Sequence, residues 1–282
     1  MPVEEHIAAP LSLRQRRRAA ATQEILDAAE RHIAENGPAA LSLRAVARSL
    51  GMTVQALYHY FPSRDDLVTA LIAKAYEALA EAVGAAVDAA EDGSPLERVV
   101  IAAEGYRQWA LAHPGRFQLL YGAPLRHYEA PVDGPTTQAL RRMSAIFERE
   151  IFGGFAPAQL AAADTPGLSP ELLAYLGQLP PTGRRELPPP ATALVMSAWG
   201  HMHGLVVLEV FGHTSFLGDH QAEIFRMAMR NLVEDIHRRI PVAGAGEGDN
   251  GPGRSHRRTD DSVHAWPCGS AAGGRDDEER AL

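Results

Sequence analysis

Apolar residues recur along most of this chain at spacings of three and four, which is the period of an α-helix. Ile25, Ala29 and Ile33 are spaced by four and predict a helix over about residues 18–36, which Asn36-Gly37-Pro38 ends. No stretch shows the alternation with a period of two that is typical of a half-buried strand. We therefore predict an all-α fold.

Residues 41–64 predict two short helices joined by a tight turn. The first helix carries its apolar residues on one face, namely Leu43, Val46, Ala47 and Leu50. Gly51 then ends this helix in the left-handed conformation that glycine tolerates. Thr53 can cap the second helix, and Pro62 ends it.

The second of these helices has a face that does not suit a core. Leu57 and Phe61 point inward, whereas the remaining positions are polar or small: Thr53, Val54, Gln55, Ala56, Tyr58 and His59. Such a surface indicates a partner, and the layout is that of a helix-turn-helix whose second helix enters the DNA major groove.

Further helices are predicted over 66–90, 96–112, 133–152, 191–211 and 219–240, with a short helix after the His113-Pro114 break. Residues 153–190 are rich in proline and predict loops, with one short helix near 171–178. The helix at 191–211 is apolar nearly all round, so both of its sides must be buried. Gly200 and Gly204, one turn apart, would let another helix approach closely, which indicates a homodimer through 191–240 with a four-helix interface.

Charge is distributed unevenly. The whole chain of 282 residues has a net charge of −8, whereas residues 11–64 hold eight arginines and four acidic residues, a net charge of +4. A basic module on an acidic protein suits one face that meets phosphate. Cys268 is the only cysteine, which excludes disulfides within the chain. We expect a cytoplasmic protein, since neither a signal peptide nor an uninterrupted apolar stretch of about 18 residues is found.

The segment Leu-Tyr-His-Tyr-Phe-Pro-Ser-Arg, at 57–64, and the long helix before it resemble the TetR family of bacterial transcription regulators over about 22–71. The residues in register are Ala28, Glu35, Gly37, Leu43, Val46, Ala47, Gly51, Leu57, Tyr58, Phe61, Arg64 and Leu67. The remainder resembles the WHG ligand domain, although Trp199 and His203-Gly204 are separated here rather than contiguous. The resemblance implies homodimers, palindromic operators in double-stranded DNA and an unidentified small-molecule effector that releases the DNA.

The same resemblance places individual residues against DNA. Thr53, Val54, Gln55, Ala56 and His59 would face the groove, where Gln55 can bind adenine and Val54 or Ala56 can touch a thymine methyl. Tyr58, Tyr60, Arg64, Ser42 and Arg44 would contact phosphates. Packing remains an alternative for Tyr58 and Tyr60, as does a solvated charge for Arg44. Arg14 and Arg16–Arg18 form either an arm along the DNA or a disordered basic stretch.

Candidate linings of an effector pocket are aromatic or bulky: Trp109, Phe117, Tyr121, Tyr128, Phe147, Met196, Trp199 and His203. Each of them is more often a core residue than a ligand contact, and His203 is more often a hydrogen-bonded core histidine. His201 and His203 face different ways on a helix, so no metal site is predicted. No catalytic motif is found, and no cofactor is expected.

These patterns together predict a disordered arm at 1–13, a helix-turn-helix domain at 14–64, a helical ligand-binding and dimerisation domain at 65–240, and a disordered tail at 241–282. Together with the resemblance to the TetR family, they predict a DNA-binding transcriptional regulator, a ligand-responsive repressor in which a shift of helix 66–90 changes the spacing between the two DNA-binding domains of the dimer. The alternative is an all-α architectural protein that binds DNA without sequence preference or effector.

Overall fold

The computed structural model of the chain describes residues 12–90, 93–122, 128, 131, 134–181, 183 and 186–242. In these ranges every regular element is helical, which confirms the all-α prediction. The helices are α1 (Leu13–Asn36), α2 (Leu43–Ser49), α3 (Val54–Tyr58), α4 (Arg64–Asp88), α5 (Pro95–Ala112), α6 (Pro114–Tyr121), α7 (Pro135–Phe152), α8 (Pro157–Ala161), α9 (Pro170–Leu176), α10 (Pro189–Val210) and α11 (Gln221–Arg239). Short 3-10 turns occupy Pro38–Ala40 and Ser215–His220.

Helix α1 begins five residues earlier than predicted. Ser12 and Gln15 form a capping box, in which each side chain accepts a hydrogen bond from the other residue's backbone N–H. Arg14 and Arg16–Arg18 therefore lie on the first turns of α1, so the interpretation as a disordered stretch is wrong for them, and a contact of these arginines with DNA stays a prediction. The predicted arm at 1–13 otherwise falls outside the described residues, as do Cys268 and the predicted tail beyond Val242.

Helices α1, α2 and α3 share one apolar core with the start of α4. Val46, Leu57 and Phe61 are buried in it, as their predicted inward positions require. Leu71 of α4 belongs to the same core, so this core continues past the predicted domain boundary at residue 64. Leu119 of α6 is also buried in it, which brings a later part of the chain against the N-terminal helices.

Helix α3 is shorter than predicted, because it ends at Tyr58 rather than at Pro62. The N–H groups of Tyr60 and Phe61 both donate to the carbonyl of Leu57, at 2.9 and 3.0 Å, in a tight turn. Pro62 disfavours the helical conformation at Phe61, so the chain cannot resume the helix after this turn.

The larger helical part is built around α4. This helix starts at the predicted Ser63 cap, with a capping box to Asp66, and it packs against α5 and α7. Tyr106 and Phe117 lie at the centre of the core that α4 shares with α10 and α11. Residues 153–188 contain two short helices, α8 and α9, rather than the single one predicted. Each has a proline in its first turn. A proline is tolerated there because the N–H groups of the first turn have no acceptor within the helix.

Helix α10 buries only one of its faces inside the chain. Leu194, Ala198, Met202 and Val206 are buried, whereas the opposite side stays open. By length and composition alone this helix could cross a membrane, as core helices of soluble proteins also could. Here it packs on α5, α8, α9 and α11, so it is an integral part of the helical domain.

Candidate nucleic-acid interface and ligand cavity

The turn between α2 and α3 has the backbone geometry of a tight helix-turn-helix. Gly51 adopts a φ of +64°, the left-handed conformation predicted for it. The N–H of Met52 donates to the carbonyl of Ala47 at 2.9 Å, which closes the end of α2 as a Schellman motif. Thr53 Oγ1 then accepts the N–H of Ala56 at 3.1 Å and starts α3, as the predicted cap.

Helix α3 presents a polar face to solvent. Thr53, Gln55, Tyr58 and His59 are exposed, and none of them belongs to the apolar core. Val54 is half-buried because it packs against the N-terminal core, so its reach toward a thymine methyl is reduced. The DNA contacts of these residues remain predictions, but the exposed side chains lie on α3 or directly beside it, and Thr53 caps the start of this short helix.

Arg18 connects the start of α1 to the end of this face. Its guanidinium donates to the carbonyl of His59 at 3.1 Å and lies 5.6 Å from the ring centroid of Tyr60. Tyr60 therefore packs beneath an arginine, which is the alternative to a phosphate contact. The sequence reasoning missed this link because it started α1 at about residue 18.

Three further residues predicted to contact phosphates have different surroundings. Arg64 Nε donates to the carbonyl of Leu41 at 3.2 Å, so this side chain joins the start of α4 to the segment before α2. Ser42 Oγ caps α2 by accepting the N–H of Ala45 at 3.2 Å. Arg44 is exposed on the first turn of α2, and its guanidinium is thus available to a phosphate.

A cavity of about 460 Å³ lies in the larger helical part, between α4, α5, α7, α10 and α11. Four of the predicted pocket residues line it: Tyr121, Phe147, Met196 and Trp199. Trp109 and Phe117 do not line it, because they are buried within the core beside it. Tyr128 lies elsewhere and exchanges a 3.1 Å hydrogen bond with Thr69 of α4.

His203 lies behind the cavity wall rather than in it. Its Nδ1 is 2.8 Å from the hydroxyl of Tyr106, and its ring stacks on Trp199 with centroids 5.0 Å apart. Burial lowers the pKa of His203, which favours the neutral imidazole, and burial raises the pKa of the Tyr106 phenol. His203 is thus a hydrogen-bonded core histidine that supports Trp199.

Several lining residues were missing from the sequence prediction, among them Tyr76, Arg141, Ser144 and Pro180-Pro181. Tyr76 lies next to Ala75 in the apolar stripe of α4, so its position near the core could have been read from the sequence. The contribution of Pro180-Pro181 could not, because these prolines lie outside any helix and no periodicity places them.

Helix α6 and the middle of α4 both join this part of the molecule to α1. Lys74 of α4 donates to Asp27 at 2.7 Å and to Glu30 at 3.0 Å, and Arg116 of α6 donates to the same Glu30 at 2.8 Å. Tyr121, five residues after Arg116, lines the cavity. A single short helix therefore touches both the cavity and the N-terminal helices.

The described residues contain no group of three or more His, Cys, Asp or Glu that could hold a metal ion. His201 is exposed on α10, and His203 is bonded to Tyr106. Two features of the structure bear on function. The first is the exposed polar face of α3, which Arg18 joins to the arginine-rich start of α1. The second is the apolar cavity, whose helices α4 and α6 are ion-paired with α1.

Two family models match the chain. The family model for bacterial regulatory proteins of the tetR family matches residues 25–71, and a tetracyclin repressor-like C-terminal domain matches residues 99–232. Neither match specifies the WHG subtype, which stays a prediction.

The HTH-type transcriptional regulator Rv1816 of Mycobacterium tuberculosis is 35% identical over 192 residues, which is 67% of this chain and 80% of that protein. The crystal structure of the regulatory protein SCO4313 superposes with a TM-score of 0.61 at 31% identity, covering 79% of this chain and all of that one. A Rhodococcus sp. RHA1 protein of unknown function shares the fold, with a TM-score of 0.54 at 23% identity, 82% of this chain and 99% of that one. The chain belongs to the TetR family of bacterial transcriptional regulators.

Proposed function

We propose that this regulator is a homodimeric repressor that binds a palindromic operator and is released from it by a small-molecule effector. The observation that supports this most strongly is the exposed polar face of α3 on a capped helix-turn-helix. Gln55 can form a paired hydrogen bond with an adenine, and Arg44 can bind a backbone phosphate. Operator binding would take place on the chromosome, in the cytoplasm.

A second copy of the chain fits the open side of α10 and α11. Large apolar side chains are exposed there: Met196, Trp199 and Leu208 on α10, Phe211 directly after it, and Ile224 and Met227 on α11. A Cβ atom added at Gly200 or Gly204 would meet nothing within 4 Å in one chain, so this stripe leaves room for a helix to approach. Two chains joined here would present two α3 helices to successive major grooves, about 34–36 Å apart.

The cavity is the proposed effector site. Effector binding would act on α4 and α6, which line the cavity through Tyr76 and Tyr121 and are ion-paired to α1 through Lys74 and Arg116. The ligand would bind the dimer with widely spaced DNA-binding domains more tightly than the operator-bound form. A difference of about 1.4 kcal/mol in its binding free energy lowers the operator affinity tenfold.

The test begins with the DNA. Fragments of the source genome are enriched on the purified full chain, and the enriched duplex is titrated by fluorescence anisotropy at physiological salt. We expect a palindrome bound at least a thousand times more tightly than random duplex. Binding that depends steeply on salt but not on sequence would favour the non-specific alternative instead.

Two variants then separate the roles of the exposed residues. Gln55→Ala should relax the preference at one base pair of each half-site, by about 1–3 kcal/mol. Arg44→Ala should weaken binding to all DNA sequences alike. It should also reduce the slope of the logarithm of the binding constant against the logarithm of the salt concentration by about one. The reverse pattern would contradict the assignment of the exposed face of α3 as the surface that contacts the bases.

A further inference from the structure

The cavity is elongated, and its two ends differ in chemistry. Its lining follows α7 from Thr137 to Ile151, a rise of about 21 Å at 1.5 Å per residue. The first two turns of this stretch contribute the polar groups of Thr137, Arg141 and Ser144. Tyr76 of α4 lies at this end as well, since its neighbour Glu77 is ion-paired with Arg142.

The far end is apolar. Its walls are Val99 of α5, Ile151 of α7, Val195 of α10, and Val233 and Ile236 of α11. These side chains all belong to one apolar cluster or pack against it. A ligand segment at this end meets only aliphatic groups, so that segment must itself be apolar.

Tyr121 supplies the most specific signal at the polar end. Its ring lines the cavity, and its buried hydroxyl makes no hydrogen bond of normal geometry, although the phenols of Tyr76 and Tyr106 lie close enough to interact with it. Buried hydroxyl groups in native proteins nearly always have a partner, and one without it indicates a missing ligand or water. Burial also raises the pKa of both Tyr121 and Tyr76, whose rings are 5.9 Å apart, so both phenols are protonated and can donate.

We propose that the effector is an elongated, mainly apolar molecule with a hydrogen-bond-accepting oxygen head group, a carboxylate or a carbonyl, bound by the Tyr121 hydroxyl. The apolar chain extends along α7 toward Val195 and Ile236. Arg141 also lines this end, and a guanidinium has only donors and no acceptor, which favours an accepting head group over an ammonium group. This inference rests on the proposed function, since it names the class of molecule that the effector cavity takes.

Three probes of equal chain length test the head group. Laurate, methyl laurate and dodecylamine are titrated into the full chain by calorimetry, below their micellar concentrations. We expect laurate and its methyl ester to bind with one molecule per chain, and dodecylamine to bind at least tenfold more weakly. Equal binding of the amine, or binding of neither laurate nor its ester, would overturn the proposal.

Two variants and a matched control locate the ligand. Tyr121→Phe should lower the affinity for laurate about tenfold. Tyr175→Phe, the same change at an exposed tyrosine outside the cavity, should leave this affinity unchanged. Val195→Trp should abolish binding by filling the apolar end. Circular dichroism and the melting temperature confirm that each variant is folded, and unchanged laurate affinity in a folded Tyr121→Phe would refute the role of this hydroxyl.

The operator titration separates this inference from the proposed function. If laurate binds as expected but leaves the operator affinity unchanged, the ligand class stands and effector release is refuted. If the operator is released by another molecule while laurate and its ester do not bind, effector release stands and the ligand class is wrong.

Discussion

Glu30 is the point at which three helices meet, and its replacement tests how strongly they are joined. One carboxylate oxygen of this α1 residue accepts from both Lys74 of α4 and Arg116 of α6. Glu30→Gln keeps the size of the side chain and an oxygen that can accept both bonds. The change therefore removes the charge and little else.

The expected loss follows from the burial of the three side chains. Glu30 is 11% exposed, Lys74 25% and Arg116 29%, so the cluster lies between a surface pair and a buried one. Exposed pairs contribute about 0–1 kcal/mol, and breaking a fully buried pair costs about 3–5 kcal/mol. We expect Glu30→Gln to lower the free energy of unfolding by about 1–3 kcal/mol, which is a fall in melting temperature of roughly 3–10 °C for a chain of this size.

The chain offers a matched control. Glu77 pairs with Arg142 at 2.5 Å, but both side chains are 51% exposed. Glu77→Gln should therefore cost less than about 1 kcal/mol, and high salt should remove most of that difference. Thermal unfolding is followed by circular dichroism at low and high salt for both variants. Equal melting temperatures for the two variants would refute the argument that partial burial strengthens the Glu30 cluster.

Three other changes probe the turn, the proposed dimer and the aromatic cluster. Gly51→Ala should lower the free energy of unfolding by about 1–2 kcal/mol in urea titrations, because φ is +64° and a Cβ there gains no contact. Gly204→Phe should shift the chain from dimer to monomer in analytical ultracentrifugation, with its helical circular dichroism retained. Burial lowers the pKa of His203, so its contribution to stability is present above about pH 6.5 and is lost as the pH falls through the folded-state pKa. The melting temperature of His203→Gln should consequently fall less than that of the parent chain between pH 7.5 and 5.

The local elements of the DNA-binding part were readable from the sequence. Ser63 followed by Asp65 and Asp66 fixed the start of α4, and Gly51 marked the turn, because caps and left-handed turns depend on a few neighbouring residues. The start of α1 was missed for a related reason. The capping box of Ser12 and Gln15 lies among arginines, and no apolar stripe marks the first turns of α1.

The cavity was only partly predictable. Phe117 and Trp109 have the same character as Phe147 and Trp199, yet the first two are buried in the core and the other two line the cavity. A cavity exists where packed helices leave a gap, and that depends on tertiary distances that no spacing along one helix contains. Nor does any sequence pattern predict that the buried Tyr121 hydroxyl makes no hydrogen bond of normal geometry.

Helix α6 defines the distance over which the proposed coupling between cavity and N-terminal helices would act. Arg116 and Tyr121 are separated by five residues, about 7.5 Å of helix rise, and Leu119 between them is buried in the N-terminal core. A ligand that moves Tyr121 would act on the Arg116–Glu30 pair through one rigid element. The expected strength of the Glu30 cluster, about 1–3 kcal/mol, equals the usual range of coupling free energies between sites. Loosening this cluster would therefore release the operator without requiring the N-terminal core to unfold, and Glu30→Gln should both weaken operator binding by the unliganded protein and reduce the further effect of the ligand.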